Sequence, residues 1–296
     1  MAPQRVIGVD LGGTKIATGS VDADGGLHER HELPTPVESQ DALLDGIVAA
    51  LEPLTGRDVG AVGVGVPSVI DPDSGKALGS VNIPLRDLAL HDVLRERLGV
   101  PVFVANDGNV AALAEWKLGA GRGAHGLVML TLGTGVGGGV VIGDSLYEGI
   151  AELGHTVVVA DGPPCQGNCT GRGHVEAVAS GNAADEQLRV RAFAPELLGG
   201  RAEEGDPAAL EALSGIGHLL GAAIGSFVNI WGPDVVVVGG GFGSAAFDFL
   251  VDSAHEIARR EAVVPQLPVE IVRAELGSDA GLIGAGLLAL EALGNG

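Results

Sequence analysis

Apolar residues along this chain of 296 residues alternate between two rhythms, one of strands and one of helices. VIGVDLGG is a run of strand formers closing on glycines, TKIATGSVDADG is a second strand ending in a turn, and GLHERHELPT is a third. The chain therefore opens as an antiparallel β segment. DALLDGIVAALEPL then carries apolar residues at helical spacing. VGAVGVGVPSVID reads as one buried strand, and HDVLRERLGVP as a helix ended by Gly99 and Pro101. VFVAND is a short strand that stops on polar residues, followed by a helix through VAALAEWKLG.

Near residue 125 the pattern restarts. LVMLTLGTGVGGGVVIGDSLYEG follows the same logic as VIGVDLGGTKIATGSVDADGGL: apolar strand, glycine turn, apolar strand, acidic turn. This is an internal repeat on the scale of a domain. A long helix (DPAALEALSGIGHLLGAAIGSFVNIW), the strand DVVVVGGG, a helix over 244–261, the strand VEIVRAEL and a last helix, GLIGAGLLALEAL, complete the chain. The pattern predicts two α/β domains with a cleft between them, an N-terminal one over 1–117 and a larger one over 118–280. Helix 281–296 is expected to pack back on the first.

Composition narrows the partners. A formal charge of −21 excludes nucleic acid and anionic membrane as the main partner, because both need a basic footprint. An acidic protein that holds an anion must do so locally, through backbone amides and a few cations. The 50 glycines, well above the usual share of about 7%, cluster at the ends of apolar runs, where tight turns meet ligands. MAPQR leads straight into VIGVD with no apolar leader, and the uncharged runs around 127–143 and 219–233 fall short of a membrane span. A cytoplasmic protein is expected.

Three glycine loops share one chemistry: DLGGTK (10–15), LGTGVGGG (132–139) and VGGGFG (238–243). Successive exposed amides form a nest for phosphate. Gly12, Gly13, Gly133, Gly135, Gly240 and Gly241 supply that backbone, Thr14 and Thr134 add hydroxyls, and Lys15 adds a cation. Asp10, at a strand end, is placed to hold Mg²⁺ through water. Read alone, each loop is a plain hairpin turn sooner than a phosphate site, and neither a Walker nor a Rossmann pattern fits. Three such loops in a duplicated frame follow the plan of the actin-like ATPases (sugar kinase, Hsp70, actin), in which two hairpins clasp the phosphates of ATP.

Asn106 and Asp107 end the strand VFVAND, a usual address for site residues in open α/β folds. Phosphoryl transfer asks little of its base, so Asp107 as base with Asn106 as orienter suffices. The same spot also suits an N-cap for the helix from residue 109 onward. Glu152 and Glu176 are acceptors of the type that vicinal sugar hydroxyls prefer. Both cysteines lie in CQGNCTGRGHVE, so His155, Cys165, Cys169 and His174 offer four ligands within twenty residues. That count fits a tetrahedral Zn²⁺ site; two free thiols remain the alternative, and a disulfide suits a reducing compartment poorly.

DLGGTK, the AND triplet, LGTGVGGG, ExGH followed by a cysteine loop ending in Glu, and VVVVGGGFG stand in the order found in the ROK family, which the chain resembles over nearly its whole length. Within that family the resemblance is to the bacterial glucokinases. It implies an ATP- and Mg²⁺-dependent hexose kinase with a structural zinc, assembled as a dimer or tetramer, with Asp107 as base. It also implies sugar contacts from Asn82, Asn106, Glu152, His155 and Glu176, with His155 shared between zinc and sugar. A sugar-sensing repressor of the same family would need a helix-turn-helix ahead of the loop at residue 10. The chain departs from the common pattern in places. Its loop reads C-x₃-C-x₄-H-x-E, the segment between Tyr147 and Glu152 is short, and Leu85 and Arg86 stand where an aromatic residue is usual. The last two departures touch the sugar pocket and leave mannose, fructose or an N-acetylhexosamine as alternative acceptors.

Overall fold

The computed structural model describes residues 5–22, 24–54, 59–71, 74–80, 82–190, 198–264 and 269–294, with side chains at 187–190 and 198–199 left out. These fall into two units. One comprises the described residues of Met1–Leu118, Leu146–Ala151 and Asp279–Gly296, the other those of Gly119–Ser145 and Glu152–Ser278.

The first unit is built on a five-stranded sheet. Strand β1 (Arg5–Leu11) pairs antiparallel with β2 (Lys15–Val21), which pairs with β3 (Leu27–Pro34). On its other side β1 runs parallel to β4 (Val59–Val66), and β4 to β8 (Val102–Asn106). Helices α1 (Gln40–Leu51) and α2 (Leu90–Leu98) bury Leu43, Ile47, Leu51, Leu90 and Leu94 in one cluster with Ile7, Val9, Val62 and Val64 of the sheet. Ser39 starts α1 by accepting from the Ala42 amide at 3.1 Å, and Gly99 ends α2 in the left-handed region at φ 68°. VGAVGVGVPSVID, expected as one strand, is broken. β4 stops at Val66, and Val69–Ile70 (β5) joins Ala77–Gly79 (β6) and Arg86–Leu88 (β7) in a separate three-stranded sheet. Ser68 fixes the break: its amide donates to Val66 O at 2.8 Å and its hydroxyl to Gly79 O at 2.8 Å.

The opposite face of this sheet is covered by the last helix, α9 (Ala280–Gly294), and by α3 (Asp107–Leu118). Asn295 and Gly296, the end of the expected helix, lie outside the described residues. Glycine allows the backbones to meet. A methyl group on Gly63 would lie 1.7 Å from the Ala285 carbonyl oxygen, one on Gly8 2.2 Å from that of Leu282, and one on Gly284 1.8 Å from that of Val110.

The second unit repeats the sheet. β9 (Leu127–Leu132) pairs antiparallel with β10 (Val136–Ile142), followed by the short β11 (Ser145–Leu146). On its other side β9 runs parallel to β12 (Val235–Gly239), and β12 to β13 (Glu270–Arg273). The order β11-β10-β9-β12-β13 therefore matches β3-β2-β1-β4-β8 strand for strand. Between β11 and β12 come three helices that periodicity did not reveal, α4 (Val175–Ala179), α5 (Gly181–Val190) and α6 (Leu198–Glu203), and then α7 (Pro207–Trp231). Asp206 caps α7 by accepting from the Ala208 amide at 2.9 Å, with Pro207 in its first turn, and Gly232 ends it at φ 55°.

By length and composition α7 is apolar enough to cross a membrane, a size that counting only 219–233 did not give it. Its buried residues, among them Leu213, Ile216, Leu220 and Phe227, make it a core helix packed on α8 (Gly241–Glu261). The contact runs along Gly217, Gly221 and Gly225, spaced four apart on one face. Added methyl groups there would come 2.5 Å from Leu250 O, 2.5 Å from Ala254 O and 2.8 Å from the Glu261 Cβ. Gly215 on the same helix has nothing within 4 Å. Gly221→Ala should therefore destabilise the protein by about 1–3 kcal/mol through overpacking, whereas Gly215→Ala should stabilise it by about 0.5–1 kcal/mol through helix propensity. Denaturant titration of the two variants beside the parent reads both signs.

Candidate functional site

Each unit contributes a glycine turn held from behind. In the first, the Gly12 amide donates to Lys15 O at 2.9 Å, while Thr35 donates its hydroxyl to Gly12 O at 2.7 Å and its amide to Thr14 O at 3.0 Å. In the second, the Gly133 amide donates to Gly135 O at 2.9 Å, and the start of α5 reaches in behind it. There the amides of Gly181 and Asn182 donate to Gly133 O at 2.8 Å and Thr134 O at 3.4 Å. With these carbonyls and the Gly12 and Gly133 amides engaged inside the turns, the amides of Gly13, Thr14, Thr134 and Gly135 are the groups a phosphate would meet. Lys15 does not stay with its turn. Its ammonium pairs with Glu32 on β3 at 2.7 Å. Asn82 lies beside Gly13, where an added methyl would come 3.2 Å from the Asn82 Cβ.

Asp10 stands at the end of β1, near the start of α9. A methyl on Gly281 would lie 3.0 Å from its carboxyl carbon. Burial pushes its carboxyl above the usual aspartate range, and the charges of Lys15 and Arg30 pull it part of the way back.

At the end of β8 hydrogen-bond geometry shows which residue caps the following helix. Asn106 does the capping: its Oδ1 accepts from the amides of Gly108 at 2.8 Å and Asn109 at 3.3 Å, and its Nδ2 donates to Ser68 O at 3.3 Å. Asp107 opens α3, two residues earlier than expected, and its Oδ1 also accepts from the Gly108 amide at 2.8 Å. Asn109, which the sequence reading passed over, is 7% exposed; its Nδ2 faces Tyr147 O at 3.5 Å, and its Oδ1 is buried without a partner among the described residues.

In the second unit His155, Cys165, Cys169 and His174 come together, with one ligand atom of each lying within 4.8 Å of the others. The Nδ1 atoms of the two histidines face one another at 3.3 Å. Cys165 Sγ lies 3.6 Å from His155 Nδ1, and Cys169 Sγ lies 3.6 Å from His174 Nδ1. Both cysteines are free thiols. Two sulfurs and two imidazole nitrogens converging on one point are the donor set of a tetrahedral soft-metal site. Burial pushes the Cys165 thiol up to about 11, with Cys169 and Glu176 adding to the shift, so a cation would have to displace its proton. The cluster contacts of His155 use its Nδ1 and leave its Nε2 out of them. Gly154 permits this turn, since a methyl there would sit 2.0 Å from Val136 O.

Glu176, in the first turn of α4, joins the cluster to the glycine turn. Its Oε2 accepts from the Val136 amide at 2.9 Å, and its Oε1 lies 3.8 Å from Cys165 Sγ. Glu152 is exposed, one residue ahead of the short 3₁₀ turn Leu153–His155.

A cavity of about 370 Å³ opens on the same turn, lined by Gly133, Thr134, Gly181, Asn182, Phe242 and Ala245 among others. Gly240 (φ 79°) and Gly241 lead into it at the start of α8. Gly181 and Asn182 were not picked out in the sequence, whereas Gly240, Gly241 and Phe242 belong to the third glycine loop. The one local signal for the first two was Ser180, whose hydroxyl accepts from the Ala183 amide at 3.1 Å and so starts α5.

The sequence model of the ROK family matches residues 6–292. The glucokinase of Thermotoga maritima is 36% identical over 320 residues, covering 99% of this chain and 100% of that one. The N-acetylmannosamine kinase of Escherichia coli O157:H7 is 33% identical over 291 residues, covering 96% and 97%. The solved ROK family glucokinase of Streptomyces griseus, in complex with glucose and AMPPNP, matches with a TM-score of 0.83 at 33% identity, across 97% of this chain and 99% of that one.

A carboxyl raised by burial favours the folded chain when protonated and penalises it when ionised, so the penalty is complete above the folded pKa. Asp10→Asn should raise the melting temperature of the ligand-free protein by roughly 2 °C near pH 7. The gain should shrink as pH is lowered toward the carboxylate range. Differential scanning calorimetry of parent and variant at neutral and acid pH reads this.

Proposed function

Because this chain belongs to the ROK family and has the two-domain, actin-like fold of its sugar kinases, we propose that it is a glucokinase, transferring the γ-phosphoryl group of ATP to the 6-hydroxyl of glucose. The observation that carries the reading is the double use of one glycine turn. Gly133 and Thr134 line a cavity of nucleoside size, while the neighbouring Val136 amide holds Glu176, a carboxylate of the kind that binds sugar hydroxyls.

Asp107, at the positive end of α3, accepts the proton of the 6-hydroxyl as the new O–P bond forms and the bond from the γ-phosphorus to the bridging oxygen breaks, releasing ADP. Asn106, locked by its capping bonds, gives that carboxylate a rigid neighbour. Asn82, Glu152, Glu176 and the Nε2 edge of His155 orient the remaining hydroxyls. The amides of the two glycine turns, with Thr14 and Thr134, hold the phosphates, so the negative charge of the chain as a whole is offset locally. Mg²⁺, positioned by Asp10 through water, would neutralise charge on the phosphate oxygens. Lys15, paired with Glu32, contributes electrostatically rather than by direct contact. Zn²⁺ fits the Cys₂His₂ donor set and would hold His155 and the loop before Glu176 in place.

Three measurements test the reading. ADP release across glucose, mannose, fructose and N-acetylmannosamine should give glucose the highest kcat/KM; N-acetylmannosamine belongs in the panel because a kinase for that sugar is also similar to this chain. The absence of sugar-dependent ADP release would end the kinase reading. Asp107→Asn should lower kcat about 10²- to 10⁴-fold while glucose affinity changes little, and full activity in that variant would remove the base assignment. Metal analysis should find one zinc per chain, with Cys169→Ser losing the metal and raising the KM for glucose about 10-fold or more.

A further inference from the structure

We propose that Gln166 is a positioning residue that links occupancy of the Cys₂His₂ cluster to the nucleotide pocket, so that metal loading tunes affinity for nucleotide as well as for sugar. The inference rests on the reading of the 370 Å³ cavity as the nucleoside site and of the cluster as a metal site.

Gln166 follows Cys165 directly and shares its turn. The Gln166 carbonyl accepts from the Cys169 amide at 3.2 Å, so the backbone of Gln166 belongs to the turn that carries both thiols. Its side chain points the other way. Nε2 donates to the Ser180 hydroxyl at 2.8 Å and to the Glu176 carbonyl at 3.2 Å, and Oε1 accepts from Asn182 Nδ2 at 2.7 Å. Asn182 lines the cavity. Its amide and that of Gly181 donate to Thr134 and Gly133 of the glycine turn. Ser180, fully buried, starts α5 through its bond to the Ala183 amide.

One uncharged side chain therefore bonds to the first turn of α4, to the cap of α5 and to a wall residue of the cavity, while its own backbone forms part of the metal loop. An amide can satisfy three such partners only in one orientation. If the thiols separate, Gln166 can no longer reach both ends of that arrangement, and Asn182 loses its acceptor. Both sites then bias the same hydrogen-bonded unit, which is the physical content of coupling between them.

The test is a cycle read by isothermal titration calorimetry with a non-hydrolysable ATP analogue, without sugar, on zinc-loaded and chelator-stripped protein whose metal content is measured in parallel. Loaded wild type should bind most tightly, and stripping should weaken it about 5- to 10-fold. Loaded Gln166→Met should already be weakened to a similar extent, and stripping it should change affinity less than about twofold, because the link is already cut. Asn182→Ala, altered at the far end of the link, should show the same insensitivity to stripping. A general loss of structural integrity would lower both affinities without removing the response to metal.

The proposal is overturned if stripping leaves wild-type nucleotide affinity unchanged, if it weakens both variants as much as wild type, or if the chain takes up no zinc. Sugar-dependent ADP release combined with metal-insensitive nucleotide binding would remove the link and leave the kinase reading intact. A loaded wild type that fails to bind the analogue would remove the nucleoside reading of the cavity itself.

Discussion

Backbone-to-backbone contact, possible only where no Cβ intervenes, is the constraint on which the arrangement of both units depends. α9 rests on β1, β4 and α3 with carbonyl oxygens at positions that the methyl groups of any other residue at Gly8, Gly63 and Gly284 would occupy. α7 rests on α8 through Gly217, Gly221 and Gly225 in the same manner. Such contacts bring helix axes closer than side-chain interdigitation allows and leave little tolerance for added volume. They account for six of the 50 glycines. The turns account for a further share, since Gly240, at φ 79° and against the backbone of Leu132, could hold no other residue without strain.

The two sheets show one solution used twice. In each, an antiparallel hairpin and a parallel extension share a central strand, β1 or β9, and the hairpin turn is rich in glycine. The copies have diverged in what supports the turn. Thr35 clamps the first from the strand side, whereas the start of α5 clamps the second and brings Asn182 with it. That difference places the nucleoside-sized cavity on the second turn, where helix starts meet at Gly181 and Gly241.

Electrostatics follow from the same geometry. The chain carries −21 overall, yet the candidate anion contacts are mainly backbone amides, joined by the hydroxyls of Thr14 and Thr134, and their partial charges do not depend on net composition. Asp10 is the counterexample: burial penalises its ionised form, and the charges of Lys15 and Arg30 offset only part of that cost.

Much of this was legible in the chain. The strand-turn-strand repeats of VIGVDLGGTKIATG and LVMLTLGTGVGGGVV follow from alternation and glycine position, and the four metal-ligand candidates follow from counting donors in one short segment. Other features were not legible, each for a physical reason. The run VGAVGVGVPSVID has uniform hydrophobicity, so only Ser68's bonds across to Gly79 and back to Val66 reveal that it serves two sheets. Helices α4 and α6, of five and six residues, are too short to show a period. Asn106 and Asp107 are interchangeable as caps by type, and hydrogen-bond geometry alone assigns the capping to Asn106. Local periodicity and donor chemistry, which depend on neighbours in sequence, were determined by the sequence itself. Which glycine faces which carbonyl, and which groups the Gln166 side chain bridges, depends on residues that no local period pairs, and only the tertiary structure decided it.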